Sequence, residues 1–147
     1  MSDSIFSDLT DKELEEILKL SEEIIFEPNQ TIFKQGDSGD ALYILKQGKV
    51  SLLKKNNMGS ELNMGIAERG MFLGELSILD SGPQAFSAIA SERCITLKIT
   101  KQKLDILKKI NKKLLCKFFI SIIRYVNYRL RKANENFAAS RSNMQKL

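Results

Sequence analysis

Gly74 and Glu75 stand side by side at the head of one short apolar turn, Leu76, Ser77, Ile78 and Leu79. Asp80, Ser81, Gly82 and Pro83 break that turn, and Gln84 leads into an alternating run that begins at Ala85. Glycine lets a backbone approach a ligand closely, and the free N–H groups at the start of a helical turn point at negative charge. A carboxylate beside such a nest does not meet a phosphate itself, so its natural partner is a hydroxyl, such as that of a sugar. The chemistry on offer is the binding of a small anionic ligand. The same residues also fit a plain surface loop, with Glu75 satisfied by backbone N–H groups at the helix start.

Nothing else in the chain offers a reaction. It has no histidine, which removes the commonest general base and the commonest zinc ligand. Cys94 and Cys116 have neither metal-ligand spacing nor a disulfide framework, and read as two reduced thiols. No nucleophile–base pair or triphosphate loop is visible, so no catalytic residue and no metal site is assigned, and the chain is not expected to be an enzyme. The acidic start MSDSIFSDLTDKELEE lacks an apolar signal core, and no long uncharged run spans a membrane. The expected location is cytoplasmic.

A net charge of +5 hides a division. Residues 1–97 carry nine basic and sixteen acidic side chains, whereas residues 98–147 carry fourteen basic and two acidic. The basic part can meet nucleic acid, an anionic membrane surface, an acidic protein face, or the acidic first half of its own chain or a twin's.

Periodicity divides 147 residues into one folded unit with appended helices. Residues 1–22 form an N-terminal helical segment. Within it, residues 8–21 are amphipathic, Thr10 and Glu13 have capping-box spacing, and Ile5 and Phe6 precede as apolar anchors. Over residues 23–99 the period falls to two, in runs such as EIIFE, ALYILK, KVSLLKK and CITLKI. Gly, Asn, Asp and Pro turns separate them, which predicts seven or eight short antiparallel strands in a sandwich or barrel such as a jelly roll. Residues 100–137 return to helical spacing: a short helix over 101–110, then a long one from 112 to about 136. Phe119, Ile123, Val126, Leu130, Ala133 and Phe137 recur at alternating intervals of four and three, and Leu115, Phe118 and Ile122 widen the stripe. Such a stripe packs on its own domain and can also serve a second chain. The polar residues 138–147 are expected to fray.

Two segments carry a resemblance. FKQGDSGDALYILKQGKV, residues 33–50, and FLGELSIL, residues 72–79, are similar to motifs of the cyclic nucleotide-binding domain family, in the same order and at similar spacing. That family includes catabolite-activator-type regulators, kinase regulatory subunits and cyclic-nucleotide-gated channels. The likeness covers roughly residues 5–130. It implies a mainly β fold: an antiparallel eight-stranded jelly-roll barrel, with an N-terminal helix and C-terminal helices. The phosphate-binding cassette would lie at residues 72–88. Gly74 and the N–H groups of Leu76 and Ser77 would face the cyclic phosphate, and Glu75 would take the ribose 2′-hydroxyl. The long helix would close over the base of cyclic AMP or cyclic GMP, and no cofactor is implied.

The cassette departs from the family pattern where charge matters most. After its proline the family usually carries arginine, then a small residue; here Pro83 is followed by Gln84, Ala85 and Phe86. Glutamine donates a hydrogen bond but brings no charge and no bidentate fork. Losing one charge-assisted contact costs about ten- to a hundredfold in affinity. Phe86 adds bulk near the ligand, unless strand alternation turns it into the core. Three readings stay open: weak cyclic nucleotide binding, a different ligand, or a degenerate pocket on a domain kept for its packing surfaces. Arg69 and Arg93 are candidate substitutes for the missing charge.

After residue 137 too little chain follows for the DNA-reading module that bacterial regulators of this type add. The expected role is a stand-alone regulatory sensor that signals through its C-terminal helices to a partner or to a homodimer. That dimer would form through Leu115, Phe119, Ile122, Ile123, Val126 and Leu130. The alternative is a binder of nucleic acid or an anionic surface through the lysines between 101 and 117.

Overall fold

The computed structural model describes Phe6 and residues 8–145; Ile5, expected as an apolar anchor, lies outside them. Helix α1, Asp11–Lys19, opens on the Thr10 capping box: the Thr10 hydroxyl accepts from the Glu13 N–H at 3.2 Å, and the Glu13 carboxylate accepts from the Thr10 N–H at 3.0 Å. Eight strands follow: β1 Glu22–Phe26, β2 Thr31–Phe33, β3 Ala41–Gln47, β4 Val50–Lys55, β5 Glu61–Ala67, β6 Phe72–Leu73, β7 Ser87–Ala90 and β8 Cys94–Thr100. Helix α2, Glu75–Asp80, lies between β6 and β7, and α3, Lys101–Ile110, and α4, Lys112–Gln145, end the chain.

All the strand pairings are antiparallel, in two four-stranded sheets ordered β1-β8-β3-β6 and β2-β7-β4-β5. The jelly-roll expectation holds, as two sheets with apolar side chains between them rather than a closed barrel. Strand β3 explains the layering. Its run ALYIL is buried throughout, because alternate residues point to opposite sides of the sheet. Ala41, Tyr43 and Leu45 meet Val50, Leu52, Ala88 and Ala90 of the second sheet. Leu42 and Ile44 face the other way, into a core shared with Ile17, Leu104, Leu107, Leu114, Phe118 and Ile122 of the helices. The layers are therefore helices, first sheet, second sheet.

Phe72 centres the helical layer. Its ring meets Phe6, Phe118 and Tyr125 edge-on at 5.6, 6.2 and 5.3 Å, and the Tyr125 hydroxyl donates to the Phe72 carbonyl at 3.3 Å. Burying such rings fixes the first half of α4 on the sheet. Leu115 and Ile122, expected on a face offered to a second chain, are 8% and 0% exposed within this core, so both are corrected to packing on their own domain. Phe119 and Val126 are half-buried at its margin, whereas Ile123 and Leu130 are exposed. Helix α4 also runs on to Gln145, where fraying was expected. Its 34 residues span about 51 Å, and every described position from 130 onward is exposed.

Part of the charge division is met inside the chain. Lys117 pairs with Glu13 at 3.0 Å and Arg124 with Asp8, so α4 clamps the N-terminal segment. No described helix is long and apolar enough to cross a membrane.

Candidate ligand site

Strand β6 delivers the chain to Gly74, which adopts the left-handed conformation at φ 78° and starts α2. A Cβ there would sit 3.0 Å from the Ala41 carbonyl oxygen and 3.2 Å from the Gln84 Nε2, so both the turn and the room require glycine. The next residue, Glu75, is only 3% exposed. Opposite, Gln84 is held by its backbone: its N–H donates to Asp37 O at 2.9 Å, and its carbonyl accepts from the Gly36 N–H at 2.8 Å. The Gly36–Asp40 turn thus shapes this end of the roll. Gly39 in the same turn packs directly on α2; a Cβ on it would lie 1.9 Å from Ser77 Cβ.

Gly74, Glu75, Leu76, Gln84 and Ala85 line one cavity, together with Phe33, Leu52, Leu73, Phe86 and Arg129. Of the residues expected there, Ser77 alone does not line it, and among the described residues its buried hydroxyl has no hydrogen-bond partner. Phe86 faces this cavity and not the core between the sheets.

Arg129 was not foreseen. It comes from α4, 54 residues beyond Glu75, and its Nη1 lies 2.9 Å from Glu75 Oε1. Its guanidinium stands 5.9 Å from the Phe86 ring centre and 5.7 Å from that of Tyr125, as a stacked cation does. In sequence it is one of many basic residues in the tail; the signal that could have found it is a buried acid in need of a partner. Arg69 and Arg93, the candidate substitutes, do not line the cavity, and Arg93 pairs with Glu27.

Burial pushes the Glu75 carboxyl above the ordinary carboxylate range, and the adjacent Arg129 offsets only part of that push. Burial likewise lifts the Tyr125 phenol to about 12. The space left between the lining side chains is about 10 Å³, room for one water at most. Ligand pockets for small molecules run to about 300–1,000 Å³. Phe86 and Arg129 thus close the site, and both also border a groove of about 610 Å³ between β5 and the second half of α4. Among the described residues no group of acids and thiols is placed to hold a metal.

The cAMP-dependent protein kinase regulatory subunit of Mucor circinelloides f. lusitanicus is 34% identical over 113 residues, 71% of this chain and 26% of that protein. The cyclic AMP receptor protein of Thermus thermophilus is 34% identical over 88 residues, 60% of this chain and 41% of that one. The chain therefore spans well under half the length of these relatives. The crystal structure of the Thermus thermophilus catabolite activator protein superposes with a TM-score of 0.79 at 27% identity, covering 92% of this chain and 62% of the other. A cyclic nucleotide-binding domain from Methylobacillus flagellatus superposes at 0.87 with 19% identity, covering 94% and 80%, a likeness of fold. Residues 23–111 match the profile of the cyclic nucleotide-binding domain, and with the two-sheet roll, the Gly74–Glu75 turn and the helix packed behind them, the chain belongs to the cyclic nucleotide-binding domain family.

Proposed function

We propose that this domain is a regulatory sensor whose site takes a cyclic mononucleotide, cyclic AMP or cyclic GMP, and reports it through α4. One observation carries the reading: the cassette carboxylate, Glu75, is held by Arg129 of the C-terminal helix. A ligand hydroxyl that engages Glu75 competes with that ion pair, so occupancy and helix position are energetically linked. Gly74 and the N–H groups of Leu76 and Ser77 face the cyclic phosphate in this reading. Arg129, freed from Glu75, supplies the charge that Gln84 does not. The signal passes to a partner or to a second copy along Phe119, Ile123, Val126 and Leu130, beside the domain-packing residues. No catalytic step is assigned, and the setting is the cytoplasm, where Cys94 and Cys116 stay reduced.

Titration calorimetry with cyclic AMP and cyclic GMP tests this directly. The natural chain should bind in the micromolar range, and Gln84→Arg should tighten binding about ten- to a hundredfold. Amide exchange along α4 should change at saturation. Binding gained only by Gln84→Arg would mean a site tuned to another ligand.

The small cavity favours a second reading, a domain whose pocket is filled and whose surfaces alone are used. Silence from both the natural chain and Gln84→Arg would select it.

A further inference from the structure

We propose that the elbow between α3 and α4 is a docking surface for an anionic lipid bilayer, beyond any role of the ligand site. Helix α3 buries Leu104 and Leu107 and leaves Ile106 and Ile110 outside, 44% and 72% exposed. The two isoleucines are one turn apart and therefore share a side of the helix, and Lys103 and Lys109 lie three residues to either side of Ile106 on that same side. Asn111 ends the helix with a non-helical backbone, its N–H bonded to the Leu107 carbonyl. Its side chain accepts from the Leu114 N–H at 3.1 Å and starts α4, so Ile110 sits at a corner, flanked by Lys108, Lys109, Lys112 and Lys113.

These lysines are exposed, and among the described residues neither they nor Lys103 form an ion pair. Their neighbours are occupied: Lys117 holds Glu13, and Lys101 donates to the Ser81 hydroxyl at 3.1 Å. The one carboxylate on α3, Asp105, lines a polar groove with Lys101 and stands one turn before Lys108 and Lys109, and among the described residues it forms no ion pair with any of them. Lys112 and Lys113 also occupy the first turn of α4, which has no acid, where a positive charge opposes the helix dipole. Local helix stability does not account for that placement, and a carboxylate at the corner, Glu16, accepts from the Asn111 side chain at 3.5 Å and forms no ion pair with these lysines among the described residues.

The chemistry of the corner selects the partner. Lysine is a compact point charge suited to a headgroup layer, and residues 98–117 contain no arginine. No aromatic ring is exposed on α3 to stack on a base, whereas two isoleucines project at the crest. Apolar side chains ringed by lysines match the interface of an anionic bilayer, tips in the acyl boundary and ammonium groups at the lipid charges.

Co-sedimentation of the full chain with phosphatidylcholine vesicles, with and without phosphatidylserine, tests the proposal. Binding is expected only with phosphatidylserine, and raised salt should release the protein. Replacing Lys108, Lys109, Lys112 and Lys113 by Gln should weaken it by roughly several hundredfold, at about fivefold per lysine. Ile110→Ser should weaken it about tenfold and leave the salt dependence in place. Circular dichroism of each variant checks folding. No binding to phosphatidylserine vesicles overturns the proposal, as does binding indifferent to Ile110→Ser. Tighter binding to mixed-sequence duplex DNA at the same salt would assign the lysines to nucleic acid and overturn it too.

Discussion

Replacing Arg129 by Gln should destabilise the domain in a way that depends on pH. Glu75 is 3% exposed and its carboxylate accepts from Arg129 at 2.9 Å, while the Arg129 side chain keeps 30% of its surface. Removing one partner of a buried pair costs about 3–5 kcal/mol, because the other charge stays buried alone. Protonation sets a ceiling on that cost. From an unperturbed carboxyl value of 4.5, taking up a proton at about pH 7 costs about 3.4 kcal/mol, and at about pH 5 only about 0.7 kcal/mol. Loss of the stacking of the guanidinium on Phe86 and Tyr125 adds about 1 kcal/mol at either pH. The sign follows from linkage: a carboxyl whose folded value lies above its unfolded value gains stability as pH falls from the former to the latter. Arg129→Gln should therefore lose about 3–4 kcal/mol near pH 7 and about half that near pH 5. Urea unfolding followed by circular dichroism at the two pH values measures it. Glu75→Gln added to Arg129→Gln should recover most of the loss near pH 7 and abolish its pH dependence. A loss that does not change with pH, or a double variant no better than the single one, would refute the assignment of Glu75 as the buried charge that Arg129 compensates.

Gly39→Ala puts a Cβ 1.9 Å from Ser77 Cβ and should cost about 3 kcal/mol or more in urea unfolding, part of which Ser77→Gly in the same chain should return. Ser77→Ala alone removes a buried hydroxyl with no partner, so its stability should equal or exceed that of the natural chain, and calorimetric titration should be unchanged because the proposed contact is the N–H. Leu130→Asp, at a position 56% exposed, should leave the urea midpoint within about 0.5 kcal/mol while sedimentation equilibrium shows weaker self-association; a lowered midpoint with unchanged association would place Leu130 in the domain's own packing.

The parts of the fold that repeat locally were legible. Thr10 and Glu13 carry their capping box within four residues, and short apolar runs between turn residues mark the strands, β3 among them. Gly74 and Glu75 mark a tight turn into a helix by their types. What was hidden depends on contacts far apart in sequence. Arg129 looks like any other cation of the basic tail until α4 folds back 54 residues to meet Glu75. Leu115 and Ile122 share one amphipathic stripe with Ile123 and Leu130, and periodicity cannot divide that stripe between two surfaces. The sheet does so: the first half of α4 lies against Phe72, whereas the second half borders the open groove beside β5, with every described position from 130 onward exposed. The polar end of α4 is exposed at its described positions, yet its Ala138 and Ala139 favour helix and the preceding turns provide the nucleus.

That division of α4 sets the terms on which a ligand can act. The first half is fixed by the aromatic cluster around Phe72 and by the Lys117 and Arg124 pairs, so it does not respond readily to the site. Arg129 lies just beyond Tyr125, the last α4 residue buried in the core. In the proposed reading an interaction at Glu75 acts just beyond the last α4 residue buried in the core, and a displacement there passes to the exposed part of the helix. The closed cavity makes the competition explicit. A ligand must open about 10 Å³ to molecular size by moving Phe86 and Arg129, so its observed affinity is reduced by the fraction of molecules already open. Phe86→Ala lowers that barrier, leaves Glu75 and Gly74 unchanged, and removes one of the two rings on which Arg129 stacks, the Tyr125 ring and the Glu75 pair remaining. If closure is what limits binding, Phe86→Ala should raise the affinity for a cyclic nucleotide in calorimetry and reduce the accompanying change in α4 amide exchange, because less of the binding energy is coupled to opening. Raised affinity with an undiminished helix response would mean that Phe86 only occupies space, and that Arg129 alone links the site to the helix.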